Sequence, residues 1–230
     1  DVWLEKRRDQ AVDILIGGTL KQTYENDRLG YENVNPTVIR AIPYDMMVSG
    51  YDTTNTAILR LWEARGINKF NIKKFDGGEY VEALREKDEL EALNKVLYPS
   101  DNTDKGKKLR LIQEYFLVSA AMQDILTDYF EREKNLKNIA KRISIHINDT
   151  HPALCIPELM RLLIDKYGYG WDESWAAVQS IMSYTNHTIL SEALEVVNMS
   201  TIENIVPRIA MIIRELDRRF RIELNDFIKN

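Results

Sequence analysis

One cysteine in 230 residues excludes an internal disulfide. That suits a reducing compartment, and Cys155, on the apolar face of an expected helix, reads as a buried structural thiol. Long apolar runs are missing too. No stretch of about 18 uncharged apolar residues occurs, so no membrane-spanning helix is predicted. The chain opens Asp1-Val2-Trp3-Leu4-Glu5-Lys6-Arg7-Arg8, which is no signal-peptide pattern. A cytoplasmic setting is therefore expected. Because it starts on charged sequence without Met, the chain is expected to be a piece of a longer protein. Neither a CxxC nor an HExxH motif occurs, which removes the usual support for a metal site. The net charge of −5 argues against a nucleic-acid surface. No internal repeat or low-complexity linker is visible.

What is present suffices for a core. Hydrophobic residues make up 44%, and 230 residues allow one large domain or two small ones. Val12 to Leu20 reads as a strand interrupted by the Gly17-Gly18 pair. Residues 24–35 are polar, with Asn26-Asp27 and Gly30 as turn signals. Thr37 to Ile42 predicts a second strand, closed by Pro43. Residues 51–62 fit strand or helix, and Thr53-Thr54-Asn55-Thr56 tips the reading to strand. From Asp76 to Tyr98 the period turns helical, with Val81, Leu84, Leu90, Leu93 and Leu97 as an apolar stripe. Residues 99–104 read as a loop. Lys105, Lys107, Lys108 and Arg110 behind it fit a solvated helix end or a phosphate site.

A long helix over residues 107–134 comes next, facing inward with Leu111, Tyr115, Val118, Met122, Ile125, Leu126 and Tyr129. Two more helices are predicted: 157–167, ended by Gly168 and Gly170, and 171–181, with Trp175, Val178 and Met182 inward. Ser200-Thr201-Ile202-Glu203 has the capping-box pattern for a further helix, which Pro207 should break or kink. Ile209, Ile213, Leu216, Phe220, Leu224 and Phe227 then define a last amphipathic helix.

The chain is organised around Lys141 to Leu194. Ile143, Ile145 and Ile147 alternate as in a strand, which stops at Asn148-Asp149. A helix with Leu154, Leu159, Leu162 and Leu163 comes after Pro152, so the cluster Asn148-Asp149-Thr150-His151 sits at the carboxyl end of a strand. Ligands bind there in open α/β sheets. A second polar cluster is Tyr184-Thr185-Asn186-His187-Thr188. Asp149 brings two acceptor oxygens, Asn102 a donor and an acceptor, and His187 either, according to tautomer. If their loops converge, they form a hydroxyl-binding pocket without a nucleophile. Other readings stay open. Asp149 fits a helix cap and His187 a core histidine. Asp149, His151 and His187 fit a weak metal pattern, and Asp149 with Glu192 fits a glycosidase carboxylate pair. His146, facing away from the isoleucines, reads as structural.

The run Asn148-Asp149-Thr150-His151-Pro152, with Ile156-Pro157-Glu158-Leu159-Met160-Arg161 and Tyr184-Thr185-Asn186-His187-Thr188-Ile189-Leu190, resembles the α-glucan phosphorylases. Ala41-Ile42-Pro43-Tyr44-Asp45, Tyr98-Pro99-Ser100-Asp101-Asn102 and Gln113-Glu114-Tyr115-Phe116 match the same family in the same order. The resemblance covers nearly the whole chain. It implies an α/β, helix-rich partial lobe of a two-lobed glycosyltransferase-B-type fold with a small mixed sheet. Residues 1–230 would be an inner part of the amino-terminal lobe.

The implied reaction is reversible phosphorolysis of an α-1,4-glucan by inorganic phosphate, giving glucose 1-phosphate with retention. The cofactor would be pyridoxal phosphate, whose lysine belongs to the other lobe and has no counterpart here, so the chain alone should be inactive. Asn102, Asp149 and His187 would line the glucosyl site, with Asp101 and His151 as neighbours, positioning rather than acting as the acid catalyst. The segment from Asp76 to Tyr98 would pair with a second subunit. Two departures stand out. Thr103-Asp104 replaces aromatic residues common in animal members, and Ser191 replaces a frequent proline. A related glucan synthase-type glycosyltransferase and a non-enzymatic helical interaction module are the alternatives.

Overall fold

The computed structural model describes residues 3–25, 28–67, 72–189, 194 and 196–229. The chain falls into two compact units, residues 1–15 with 38–124, and residues 16–37 with 125–230.

The first unit is built on a four-stranded sheet. Strand β5 (Thr37–Ser49) lies between β6 (Thr56–Gly66) on one side and the short β1 (Glu5–Lys6) and β2 (Val12–Ile16) on the other. β5 does not stop at Pro43 as expected; Pro43 pairs with Trp62 inside the β5–β6 ladder. In an antiparallel ladder a residue's N–H and C=O point to the same neighbour, so one side of Pro43 needs no donor. On the other side β1 ends, and the Pro43 carbonyl accepts from Arg7 N–H at 2.9 Å. β6 bears out the strand reading of residues 51–62 from Thr56 onward, whereas residues 51–55, with the Thr53-Thr54-Asn55 behind that reading, form the turn from β5.

Asp45, 2% exposed, holds the Arg60 guanidinium with both oxygens at 2.7 Å. Asp124 and Gln10 take further Arg60 N–H groups at 2.7 Å. Beyond the sheet come α1 (Ile72–Asp76) and α2 (Tyr80–Glu91). The expected α2 stripe is only partly inward: Leu90 is buried, whereas Val81 is 79% and Leu97 59% exposed. The Leu84 side chain lies outside the described residues. Helix α3 (Asp104–Arg132) matches the expected long helix. All of its expected inward residues are buried except Ile125, which is half-buried.

The second unit opens on a hairpin. β3 (Thr19–Glu25) and β4 (Arg28–Val34) pair from Thr19↔Val34 to Glu25↔Arg28. The polar stretch 24–35 is therefore largely strand, and Gly30 lies within it rather than in a turn. The expected turn at Asn26-Asp27 lies outside the described residues. Gly17 and Gly18 do divide the strands as expected, with φ of 69° and 80°. A Cβ at Gly18 would come within 2.8 Å of the Val34 carbonyl oxygen, so both conformation and space require glycine.

After α4 (Ile139–Arg142) the chain forms β7 (Ile145–Asn148), α5 (Cys155–Arg161), a wider turn over 162–166, α6 (Trp171–Ile181) and β8 (Met182–Thr185). β7 and β8 are parallel neighbours, Ile145↔Met182 through Asn148↔Thr185. The core here is Ile147, Leu159, Met160, Leu162, Leu163, Val178 and Ile181. Trp175 is only half-buried, and Met182 begins β8 instead of closing α6. Glu158, fully buried, is neutralised by a two-point pairing with Arg161 at 2.7 Å. Cys155 is 2% exposed, and burial pushes its thiol up to about 11, as fits a structural thiol.

Helices α7 (Met199–Ile205) and α8 (Pro207–Lys229) finish the unit, separated at Val206 just before Pro207. Pro207 takes the first helical position, where its missing N–H does no harm. The capping box does not form: Asn198 heads α7, Ser200 is already helical, and Glu203 pairs with Arg214 instead. The amino-terminal half of α8 buries Ile209, Ala210 and Ile212, while Phe220 and Phe227 are 62% and 80% exposed. In place of the small mixed sheet expected from the sequence, the described residues form three separate small sheets in a helix-rich α/β arrangement.

Candidate functional site

The two polar clusters emerge side by side from the carboxyl ends of β7 and β8. The ladder continues one step beyond the strands, where Asp149 N–H donates to the Thr185 carbonyl at 2.9 Å. At this step Asp149 turns to φ 60°, a left-handed conformation that a short polar side chain tolerates. The turn brings its carboxylate to the exit of β8. Asp149 Oδ1 accepts from His187 N–H at 2.6 Å and lies 3.3 Å from His187 Nδ1. The His187 N–H is the main reason the carboxyl is held below the usual range; partial burial opposes it, and the His187 ring and His151 add smaller effects.

The cap reading of Asp149 is replaced by this contact, since Leu154 heads α5 and makes no side-chain cap bond. Nor is His187 a core histidine, its side chain being 58% exposed. The loop beyond is held by Asn186, whose Nδ2 donates to the Thr188 carbonyl at 2.8 Å while its Oδ1 accepts from Thr188 N–H at 3.2 Å. His151 is half-buried and close enough to influence Asp149.

His146 projects from the opposite face of β7, as read. Nε2 is 2.7 Å from Thr185 Oγ1 and Nδ1 is 3.1 Å from Ser183 Oγ, which ties the two strands together. Asp101 and Asn102 belong to the first unit, in an exposed loop between Tyr98 (φ 56°) and the start of α3. Glu192, the carboxylate weighed as a partner of Asp149, and Ser191 lie outside the described residues. Among the described residues no group of three His, Cys, Asp or Glu side chains could hold a metal ion.

The sequence matches the carbohydrate phosphorylase family over residues 1–230. The chain belongs to this family. Among its relatives, glycogen phosphorylase of Bacillus subtilis is 42% identical over 220 residues, covering 96% of this chain and 27% of that protein. Glycogen phosphorylase of Haemophilus influenzae is 40% identical over 227 residues, with 96% and 27% covered. The H isozyme of α-glucan phosphorylase from Solanum tuberosum is 41% identical over 231 residues, with 95% and 27% covered. The chain thus spans about a quarter of the length of these phosphorylases.

The strand β8 is what sequence reading missed at the site. Its signal was present but short: Met182, Tyr184 and Thr185 suit a strand, yet four residues directly after a helix show no period of their own. Chemically, the site offers a carboxylate fixed by a histidine backbone N–H and a second oxygen, Oδ2, without a partner among the described residues. Among the described residues it pairs no nucleophile with a base. A carboxylate oxygen so placed can accept a hydrogen bond from a hydroxyl group.

Proposed function

We propose that this chain is part of an α-1,4-glucan phosphorylase, from the amino-terminal lobe of a two-lobed, cytoplasmic glycosyltransferase-B-type enzyme. In it, inorganic phosphate releases glucose 1-phosphate from glycogen or a maltodextrin. Asp149 and His187 bind the terminal glucosyl unit, with Asn102, Asp101 and His151 as further members. The observation that carries this reading is the Asp149–His187 contact at the ends of two neighbouring parallel strands. A site that pairs with hydroxyl groups discriminates strongly against sugars lacking them, because its own polar groups would then go unmatched.

Pyridoxal phosphate is held in enzymes through a lysine Schiff base. Among the described residues the Asp149–His187 pair has no lysine as a partner, so it does not fit as that anchor. What these residues supply is orientation of the sugar. The exposed apolar side chains of Val81 and Leu97 around α2 support a homodimer through residues 76–98.

The test uses the full-length protein, with glycogen or maltoheptaose and inorganic phosphate. Phosphate-dependent formation of glucose 1-phosphate is expected, and His187→Ala should lower kcat/KM by about tenfold or more. A full-length protein that releases free glucose or needs a nucleotide sugar, or a His187→Ala variant with unchanged kcat/KM, contradicts the reading.

A further inference from the structure

The loop that carries Asp101 and Asn102 folds back on the first turn of α3, and we infer that Gly106 is the residue that positions it. The inference rests on the glucosyl-site reading of Asn102. Thr103 heads the helix: its Oγ1 accepts from Gly106 N–H at 3.1 Å, and its carbonyl accepts from Lys107 N–H at 2.9 Å. Three residues earlier, the Ser100 carbonyl lies directly over Gly106. A Cβ at position 106 would stand 2.0 Å from that oxygen and 3.1 Å from its carbon. No side-chain rotation relieves a clash between a Cβ and a backbone carbonyl, so any other residue moves the loop. The loop entrance is fixed as well. Tyr98 has φ 56°, and the Arg110 guanidinium lies 5.0 Å from the centre of its ring.

The backbone is therefore held at its entrance, middle and exit. The side chains of Asp101 and Asn102 are exposed and, among the described residues, without a hydrogen-bond partner. Rigid backbone with unspent polar side chains is what a pre-organised binding loop requires. Helix propensity alone gives the opposite expectation for Gly106, since alanine is the better helix former.

The experiment compares Gly106→Ala, Asn102→Ala, the double variant and Ser100→Ala in the full-length protein. The readouts are kcat/KM with glucose 1-phosphate and maltoheptaose, and amide hydrogen exchange. Gly106→Ala is expected to lower kcat/KM about tenfold or more, the scale of a misplaced binding group. Exchange should rise in residues 98–106 and not elsewhere. The double variant should lose less than the product of the two single losses, because Gly106→Ala acts in part through the Asn102 side chain. Ser100→Ala keeps the carbonyl and gives up only the long 3.5 Å bond from Asn102 N–H to Ser100 Oγ, so its loss should stay well below that of Gly106→Ala. Unchanged exchange in Gly106→Ala, exchange raised throughout the protein, multiplying losses in the double variant, or an equal loss in Ser100→Ala each overturns the inference. If Asn102→Ala alone changes nothing, the glucosyl reading of Asn102 fails, while local exchange still decides whether Gly106 holds the loop.

Discussion

The Asn94 side chain takes the place of a neighbouring strand for Ala64. Its Oδ1 accepts from Ala64 N–H at 2.8 Å and its Nδ2 donates to the Ala64 carbonyl at 2.8 Å. A carboxamide has the donor and acceptor of a peptide group, so one side chain closes one step of the β6 edge. Gln113 secures the same turn from α3, donating from Nε2 to the carbonyls of Leu93 and Val96 at 3.1 and 2.7 Å. Leu90 packs close beside, within 2.7 Å of where a Gly66 Cβ would be. The exit of α2 is thus tied both to the sheet and to α3.

Asn94→Ala should therefore destabilise the chain out of proportion to its size. Ala64 is 2% exposed beneath the Asn94 side chain, so its N–H and C=O would lose their partner. Leaving buried backbone groups unsatisfied costs about 1–3 kcal/mol. Asn94→Asp should be no better, because the acid keeps the acceptor but sets a carboxylate against the Ala64 carbonyl. Urea unfolding of the three proteins checks this, and equal midpoints would contradict it.

Asp149 should matter more for local order than for global stability. Asp149→Ala frees the His187 N–H and should speed its amide exchange, while Asp149→Asn keeps an acceptor and most of the protection. The carboxyl is held below its ordinary range chiefly by that N–H, so the contact is complete above the ordinary value and is lost only as pH falls through the lowered one. Exchange at His187, corrected for intrinsic rates, should stay protected from pH 7 down to about pH 5. Equal exchange in Asp149→Ala and wild type would show that the pair does not order the loop.

Glu63 gives the first unit a defined acid response. Burial raises its pKa, but bonds from Lys6 Nζ and Tyr44 OH, each 2.7 Å to Oε2, and from Arg65 outweigh that and bring it to about 2. A depressed carboxylate stabilises the fold above its ordinary value of 4.5, and that contribution fades as pH falls from 4.5 toward 2. Glu63→Gln should therefore be less stable at neutral pH and lose less on acidification across that window. Melting temperatures measured through the window test it. Parallel pH profiles for the two proteins would count against the assignment.

Where the sequence carried a period or a conformational demand, it was readable. The apolar positions spaced along α3, the paired glycines at 17 and 18, and the proline opening α8 each leave a local mark strong enough to survive tertiary context. The Asp149 turn at the end of β7 was legible because strand, turn residue and helix succeed one another directly. What was not legible depends on partners distant in the chain. Pro43 sits inside β5 only because β1 ends beside it, and the Ser200–Glu203 capping pattern lost to Asn198 and to the Glu203–Arg214 pair. The contact of Asp149 with His187 spans 38 residues and depends on β8, too short to announce itself. Gly106 left no mark in the sequence, because the carbonyl that excludes a side chain there comes from the loop before it.

The buried ion pair of the first unit offers the sharpest contrast between neighbouring carboxylates. Asp45 and Asp124 both bond Arg60 at 2.7 Å, but the Asp45 side chain is 2% exposed and that of Asp124 30%. Asp45→Ala would take the better buried of its two carboxylates from a guanidinium that is itself 20% exposed, a loss of about 3 kcal/mol for a broken, largely buried pair. Asp124→Ala removes a partner that water can partly replace and should cost under about 1 kcal/mol. The Arg60→Met variant in an Asp45→Ala background should recover part of the first loss, since no uncompensated charge then stays inside. Unfolding free energies in urea decide between these outcomes. Equal losses for Asp45→Ala and Asp124→Ala would mean that Arg60 is held by the network as a whole rather than by its buried partner.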